Sequence, residues 1–297
     1  MANAKTIFFE TRQGVMLRGL WLGGVAAKKV IVFVHGLGGS LFSGYNYLSE
    51  IASEDTAVVL FENRGHDWVT RIKVRDSGAK GGVGYISGGG AMEVFTDCVD
   101  DLMGVADFVR GQGAVEVYLV GHSTGCQKIV YALVNSDLQD RVSGVVLMAP
   151  MSDYAGSLAV MDREVLERAV MVGKEMVAGG RGMELLPAEL GVGIYSAQRF
   201  VSLNDIESAE EVFPYAFLKK EPIELKKISL NMRVILAEMD EHRDREMREI
   251  KSWFDEVVQS KDYRCVIVEG ANHGFEGMEK SVQKIIEEFV GSPQQDF

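Results

Sequence analysis

The segment Gly121-His122-Ser123-Thr124-Gly125 places a serine between two glycines, each two positions away. It follows the β-branched run Val115 to Val120 and leads into the helix-like QKIVYALVNS. A strand that turns at once into a helix holds the residue between them in a strained backbone conformation, and small residues at the flanking positions keep the chain from clashing with itself. The strain lifts the Ser123 hydroxyl to the carboxyl edge of a sheet. The bland alternative is a glycine-flanked turn with no chemistry, and the rest of the chain bears on the choice. A serine hydroxyl needs a base to take its proton, and a histidine base needs a carboxylate to fix its tautomer and to stabilise the imidazolium. Two downstream loops carry such groups: Asp240 lies just after the run MRVILAE, and His273 just after RCVIVE. Both therefore fall at the same sheet edge as Ser123, in the chain order serine, acid, histidine. Glu238 and Asp244 compete for the acid position, because a loop of this length tolerates a shift. Asp240 is preferred because it follows the strand by a short turn. His242 reads as exposed.

Acyl chemistry at such a serine also needs donors aimed at the oxyanion, each worth roughly 3–4 kcal/mol. FVHGLGGS, after the third expected strand, offers a glycine-rich turn whose backbone N–H groups can converge with that of Thr124. Leu37 is the expected second donor. His35, Gly36 and His122 flank this point and are candidate substrate contacts. The run Gly88-Gly89-Gly90 lacks the Lys-Ser/Thr of a phosphate-binding loop and the strand-then-helix setting of a dinucleotide fingerprint, so it reads as a flexible active-site loop.

These residues need a scaffold that brings strand ends together. Eight short runs supply it: KTIFFET, VMLRGLWL, KVIVFVH, TAVVLFE, VEVYLV, SGVVLMA, MRVILAE and RCVIVE, with helical patterns between most of them. That alternation predicts an α/β fold, a mostly parallel eight-stranded sheet with helices on both faces, opened by an antiparallel hairpin across RQG. Between the fourth and fifth runs, Phe95, Val99, Leu102, Met103, Ala106 and Val109 share one face of a crossover helix that Gly111 would stop. The rhythm breaks after the sixth strand, and residues 151–230 are too long for an ordinary loop, which predicts a helical cap inserted between core parts 1–150 and 231–297. Within it DREVLERAVMVGKEMV is helical by pattern, GGRGMELLPAELGVG reads as a loop, and Ser202 is a candidate N-cap. Met161, Met171, Met176 and Met183 fall here, as core filling or as an adaptable apolar wall. The terminal GSPQQDF reads as frayed.

The composition fits this picture. Hydrophobic residues are 47% and charged residues 25%, an ordinary globular balance. With 31 Lys and Arg against 43 Asp and Glu the net charge is −12, which disfavours nucleic acid or an anionic membrane as a partner. No leader-like start and no membrane-length apolar run are evident, and Cys98, Cys126 and Cys265 are too scattered for a disulfide framework. A soluble, cytoplasmic protein acting on a small molecule is expected; oligomeric state is left open.

With HGLGGS, FENRGHD, GHSTG, MDEH and ANHGF in this order and spacing, the chain resembles the α/β-hydrolases across its whole sheet. The resemblance implies a serine hydrolase that cleaves a carboxylic ester through an acyl-enzyme, with Ser123 as nucleophile, His273 as base and then acid, Asp240 as its partner, and no metal or organic cofactor. The same triad serves thioesters, amides, lactones, carbon–carbon bonds or acyl transfer in other members, and a non-catalytic ligand-binding protein on the same fold is a further alternative. In many relatives the position of NRGHD reads Arg-Gly-His-Gly followed by Ser; here Asp67 and Trp68 depart from it, and Arg64 and His66 are read as structural. FENRGHD, the glycine-rich GAKGGVGYISGGGAMEVF and YSAQRFVSL together are similar to a branch that includes siderophore-ester hydrolases, which implies a bulky carboxylic ester.

Overall fold

The computed structural model describes residues 4–217 and 219–291. Of GSPQQDF it describes only Gly291, so the expected fraying lies outside the described residues. The first two alternating runs pair as an antiparallel hairpin, β1 (Ala4–Glu10) with β2 (Val15–Leu22). The continuous apolar runs β3 (Lys29–Val34) and β4 (Thr56–Phe61) follow, then a hairpin of β5 (Thr70–Arg75) and β6 (Val83–Gly88), then β7 (Glu116–His122), β8 (Gly144–Met148), β9 (Asn231–Ala237) and β10 (Tyr263–Val268). From β4 to β10 the main sheet runs β4-β3-β7-β8-β9-β10 with every pair parallel, and β2 joins β4 antiparallel. Strands buried on both faces read as unbroken apolar runs, which is why these were legible.

The sheet has ten strands, not eight. The extra pair is β5 and β6, antiparallel to each other across a turn in which Gly81 (φ 88°) and Gly82 (φ 73°) take left-handed conformations. β2 forks to receive them: Gly19 to Leu22 pair with β4, while Val15 and Met16 pair with β5. The expected flexible loop at Gly88-Gly89-Gly90 is also corrected. A Cβ on Gly88 would sit 2.6 Å from the Arg64 carbonyl oxygen, and one on Gly90 would sit 2.7 Å from the Gly38 nitrogen, so the run is packed backbone on backbone.

Helices α1 (Tyr45–Leu48), α2 (Cys98–Gly111), α3 (Thr124–Val134), α4 (Asp153–Val160), α5 (Arg163–Ala178), α6 (Ala197–Asn204), α7 (Ile223–Lys226), α8 (Met247–Val257) and α9 (Glu279–Gly291) complete the chain. Val30 and Val32 of β3 point to the face covered by α2, α3 and α8, through Leu102, Ile129 and Ile250. Ile31 and Phe33 point to the opposite face, covered by α1 and α9 through Leu48, Val282 and Ile286. In α2 the predicted face is buried, with Val99 half-buried, but Gly111 is still helical and the left-handed residue is Gly113 (φ 97°).

Between β8 and β9 the chain makes the long excursion that carries α4 to α7, with a cluster of its own around Leu166, Ala169, Met176, Leu186 and Phe200. Ser202 does not cap a helix there. It lies inside α6, which starts earlier because Phe200 and Leu203 turn inward, and the cap is Ser196, whose hydroxyl accepts from the Arg199 N–H at 3.2 Å. The methionines divide: Met176 is core, Met161 borders the cleft described below, and Met171 and Met183 are exposed. Among the described residues no helix is long and apolar enough to cross a membrane.

Candidate active site

β7 ends at His122 and α3 begins at Thr124, which leaves Ser123 alone in the turn with φ 54° and ψ −131°. That conformation is costly for a residue with a side chain and persists only where the surroundings enforce it. Here the Ser123 N–H donates to the Met148 carbonyl at 3.0 Å and the Cys126 N–H donates back to the Ser123 carbonyl at 2.8 Å. Close approach dictates the flanking glycine: a Cβ on Gly125 would lie 2.1 Å from the Val34 carbonyl oxygen. Gly125→Ala is therefore expected to destabilise the fold by about 1–3 kcal/mol through overpacking, read as a lower denaturation midpoint in urea.

Asp240 turns off the end of β9, and its Oδ2 lies 2.8 Å from His273 Nδ1. The other oxygen, Oδ1, accepts the His242 backbone N–H at 2.9 Å. Burial pushes the Asp240 carboxyl up, but the hydrogen bond from His273 and the neighbouring histidines outweigh it, and the net shift is downward. With Nδ1–H donating to the carboxylate, the His273 ring keeps its Nε2 lone pair free to take a proton. Glu238 instead accepts from the Gly270 N–H at 2.8 Å, and Asp244 pairs with Arg245 at 2.7 Å, so neither competitor reaches the ring. Glu241, which the sequence reading passed over, accepts the His273 backbone N–H at 3.0 Å. His242 is not exposed as expected: it is half-buried, edge-on to the His273 ring at 4.7 Å between centroids.

Ser123 and His273 border one cleft of about 680 Å³ at the carboxyl edge of the sheet. Among the described residues the Ser123 hydroxyl makes no hydrogen bond, and it shares the cleft lining with His273. Gly36 and Leu37 line the same cleft, as does Thr124. A Cβ on Gly36 would come within 2.9 Å of the Ser123 Cβ and 3.2 Å of the Thr124 nitrogen, so the turn that carries Leu37 abuts the elbow.

His35 is misplaced by the sequence reading. It is fully buried, away from the cleft lining, because its ring pins the turn from below: the Asn63 N–H donates to Nε2 at 3.2 Å, so Nδ1 carries the proton and donates to the Gly36 carbonyl at 3.0 Å. Burial lowers its pKa to about 3. His122 does border the cleft. Its Nε2–H donates to the His273 carbonyl at 2.9 Å, and burial together with the nearby His273 lowers its pKa to about 4. Tyr47, also unforeseen, donates its hydroxyl proton to the Gly274 carbonyl and so ties α1 to the loop that carries the histidine. Arg64 is structural as expected, its guanidinium reaching Asp97 at 2.9 Å, Asp101 at 2.8 Å and Asp100.

Behind the cleft lies a buried charge network that the sequence reading missed. Arg199 of α6 pairs with Glu210 and, at 3.0 Å, with Glu93, and its Nε donates to the Gly90 carbonyl at 3.2 Å. Lys128 of α3 reaches the other Glu93 oxygen at 2.8 Å and Asn63 at 3.2 Å. Burial opposes ionisation of Glu93, yet the two cations hold its carboxyl below the ordinary range. One carboxylate thus joins the excursion, the helix behind Ser123 and, through Asn63 and His35, the Gly36 turn. Truncating Glu93 to alanine would leave the buried Lys128 without a carboxylate and Arg199 with Glu210 alone, and is expected to cost about 3–5 kcal/mol, measured by chemical unfolding. Lys128, directly before the apolar run IVYALV of α3, was the available signal. Among the described residues no three His, Cys, Asp or Glu side chains converge as metal ligands.

The fold is that of the α/β-hydrolases. The Penicillium alpha/beta hydrolase GrgF superposes with a TM-score of 0.62 at 15% identity over 97% of this chain and 98% of that one. The Pyrococcus furiosus esterase Pf2001 gives 0.59 at 15% identity over 98% and 91%. The Bacillus subtilis carboxylesterase CesB gives 0.56 at 18% identity over 98% and 93%. In sequence, a UPF0613 protein of Schizosaccharomyces pombe is 28% identical over 117 residues, 37% of this chain and only 36% of that relative's length. A family model described as "Protein of unknown function (DUF1749)" matches residues 12–292, nearly the whole chain, and the chain belongs to that family.

Proposed function

We propose that the protein is a cytoplasmic serine hydrolase that cleaves a carboxylic ester of a small molecule. The observation that carries the reading is the Asp240–His273 contact of 2.8 Å bordering the same cleft as a serine held at φ 54°. Three proteins of like fold carry the names esterase, carboxylesterase and alpha/beta hydrolase, which supports it further. In this reading the Ser123 Oγ attacks the ester carbonyl while its proton passes to His273 Nε2, and Asp240 stabilises the imidazolium. The oxyanion meets the N–H groups of Leu37 and Thr124. The alcohol leaves with the proton from His273, which then deprotonates a water that attacks the acyl-serine; the acid departs and Ser123 recovers its proton. The excursion between β8 and β9 acts as the cap, and its Val160, Met161, Val192 and Leu203 give the cleft an apolar wall.

Intact mass after incubation with a fluorophosphonate tests this. One adduct is expected on the wild type and none on Ser123→Ala. No adduct on either protein would remove the hydrolase reading and favour a ligand-binding protein on the same fold.

A further inference from the structure

Asp153, the first residue of α4, borders the cleft, is only 6% exposed and has no part in the chemistry assigned to Ser123, Asp240 and His273. Its Oδ2 accepts from Gln127 Nε2 at 2.9 Å, and among the described residues its Oδ1 has no hydrogen bond. Polar atoms of the cleft lining and of the neighbours of Asp153 share one property. Asn204, 4% exposed and on the cleft, spends its amide N–H on the Phe200 carbonyl at 2.9 Å, which leaves Oδ1 without a partner. Gln127 spends its amide N–H groups on Asp153 and the Met151 carbonyl, which leaves its Oε1 unpartnered too. Glu211 Oε1 and the Thr124 hydroxyl are in the same condition. Unpartnered acceptors thus predominate, and the buried cations Arg199 and Lys128 are paired with Glu210 and Glu93, although Arg199 Nη2, 3.0 Å from Glu93, makes no hydrogen bond.

The cleft's charge points the same way. Its lining includes Asp153, Glu276 and Glu279 and neither lysine nor arginine. A carboxylate or phosphate ligand would find no cation there, whereas an ammonium carries three N–H donors and the complementary charge. We propose that Asp153 and Asn204 form a subsite for a primary ammonium group, so that the molecule whose ester meets Ser123 also carries an amine. The proposal rests on the ester reading of the cleft for the word ester, and on the subsite's own geometry for the word amine.

The groups facing Asp153 define what binding does to it. Gln127 approaches from α3, Arg199 from α6, and Glu210 and Glu211 from the segment after α6. Burial and the two glutamates push the carboxyl well above the ordinary range. An ammonium ligand acts the other way and favours the carboxylate, so binding shifts Asp153 toward proton release.

Titration calorimetry on the intact protein with n-butylammonium chloride, n-butanol and sodium butyrate tests the subsite without any turnover. Butylammonium is expected to bind about tenfold more tightly than butanol, the factor of roughly 1.4 kcal/mol that a charge-assisted hydrogen bond supplies. It should release a proton, seen as a heat that changes with the ionisation enthalpy of the buffer. Asp153→Asn should erase both the preference and the release. Should that variant not fold, Asn204→Leu, which leaves the acid cluster intact, should cut the preference severalfold. Butanol or butyrate binding as tightly as butylammonium would overturn the proposal, as would an unchanged preference in Asp153→Asn. Butylammonium binding by a protein that takes no fluorophosphonate adduct would sink the ester reading and keep the subsite; an adduct with no preference would do the reverse.

Discussion

Replacing Ser123 by alanine lowers kcat on a carboxylic ester by about 10⁴–10⁶-fold and leaves the fold in place. The residue's φ of 54° strains alanine no more than serine, and the hydrogen bonds that hold the turn come from its backbone, through Met148 and Cys126. Nothing structural depends on the hydroxyl. What is lost is the atom that forms the acyl-enzyme, so KM should move far less than kcat. Steady-state kinetics beside urea unfolding separates the two effects, and turnover within tenfold of the wild type would end the assignment of Ser123 as nucleophile.

Asp240→Asn is expected to lower kcat by about 10⁴-fold, with the stability change small beside that loss. The direction follows from the oxygen that does not touch the histidine. Oδ1 accepts the His242 N–H at 2.9 Å, so in the variant the amide oxygen must take that position. The NH₂ group then faces His273 Nδ1, at the place where Oδ2 now stands 2.8 Å away. An amide donor at Nδ1 drives the ring proton to Nε2, where the base needs a lone pair. Nitrogen chemical shifts of the His273 ring would report the tautomer directly, and an unchanged Nδ1–H signal with full activity would remove Asp240 from the site.

The eight main strands were legible because burial on both faces demands unbroken apolar runs, as in VIVFV and AVVLF. The β5–β6 hairpin was not, because TRIKVR and VGYISG face solvent along most of their length and their turn glycines resemble a loop. Ser123, Asp240 and His273 were legible for another reason: each follows a recognisable strand, and strand ends in a parallel sheet share an edge. His35 was misjudged because residue type and position beside Gly36 are visible in a sequence, whereas the inward turn of its ring toward Asn63 is not. Of Glu93, Lys128, Arg199 and Glu210 only Lys128 left a local signal, because buried ion pairs between distant segments have no local period.

That four-residue network also determines how a substrate can arrive. Swinging α6 off the sheet would pull Arg199 away from Glu93 and break one pair of a buried network, leaving Glu93 with Lys128 and Arg199 with Glu210, at a cost of about 3–5 kcal/mol. At roughly 1.36 kcal/mol per factor of ten, such a raised state holds between about one molecule in a hundred and one in several thousand. A substrate is therefore expected to reach Ser123 through the cleft as it stands, whose lining carries Glu276 and Glu279. Turnover would then be paced by the width and charge of that cleft, with no hinge at α6 to wait for.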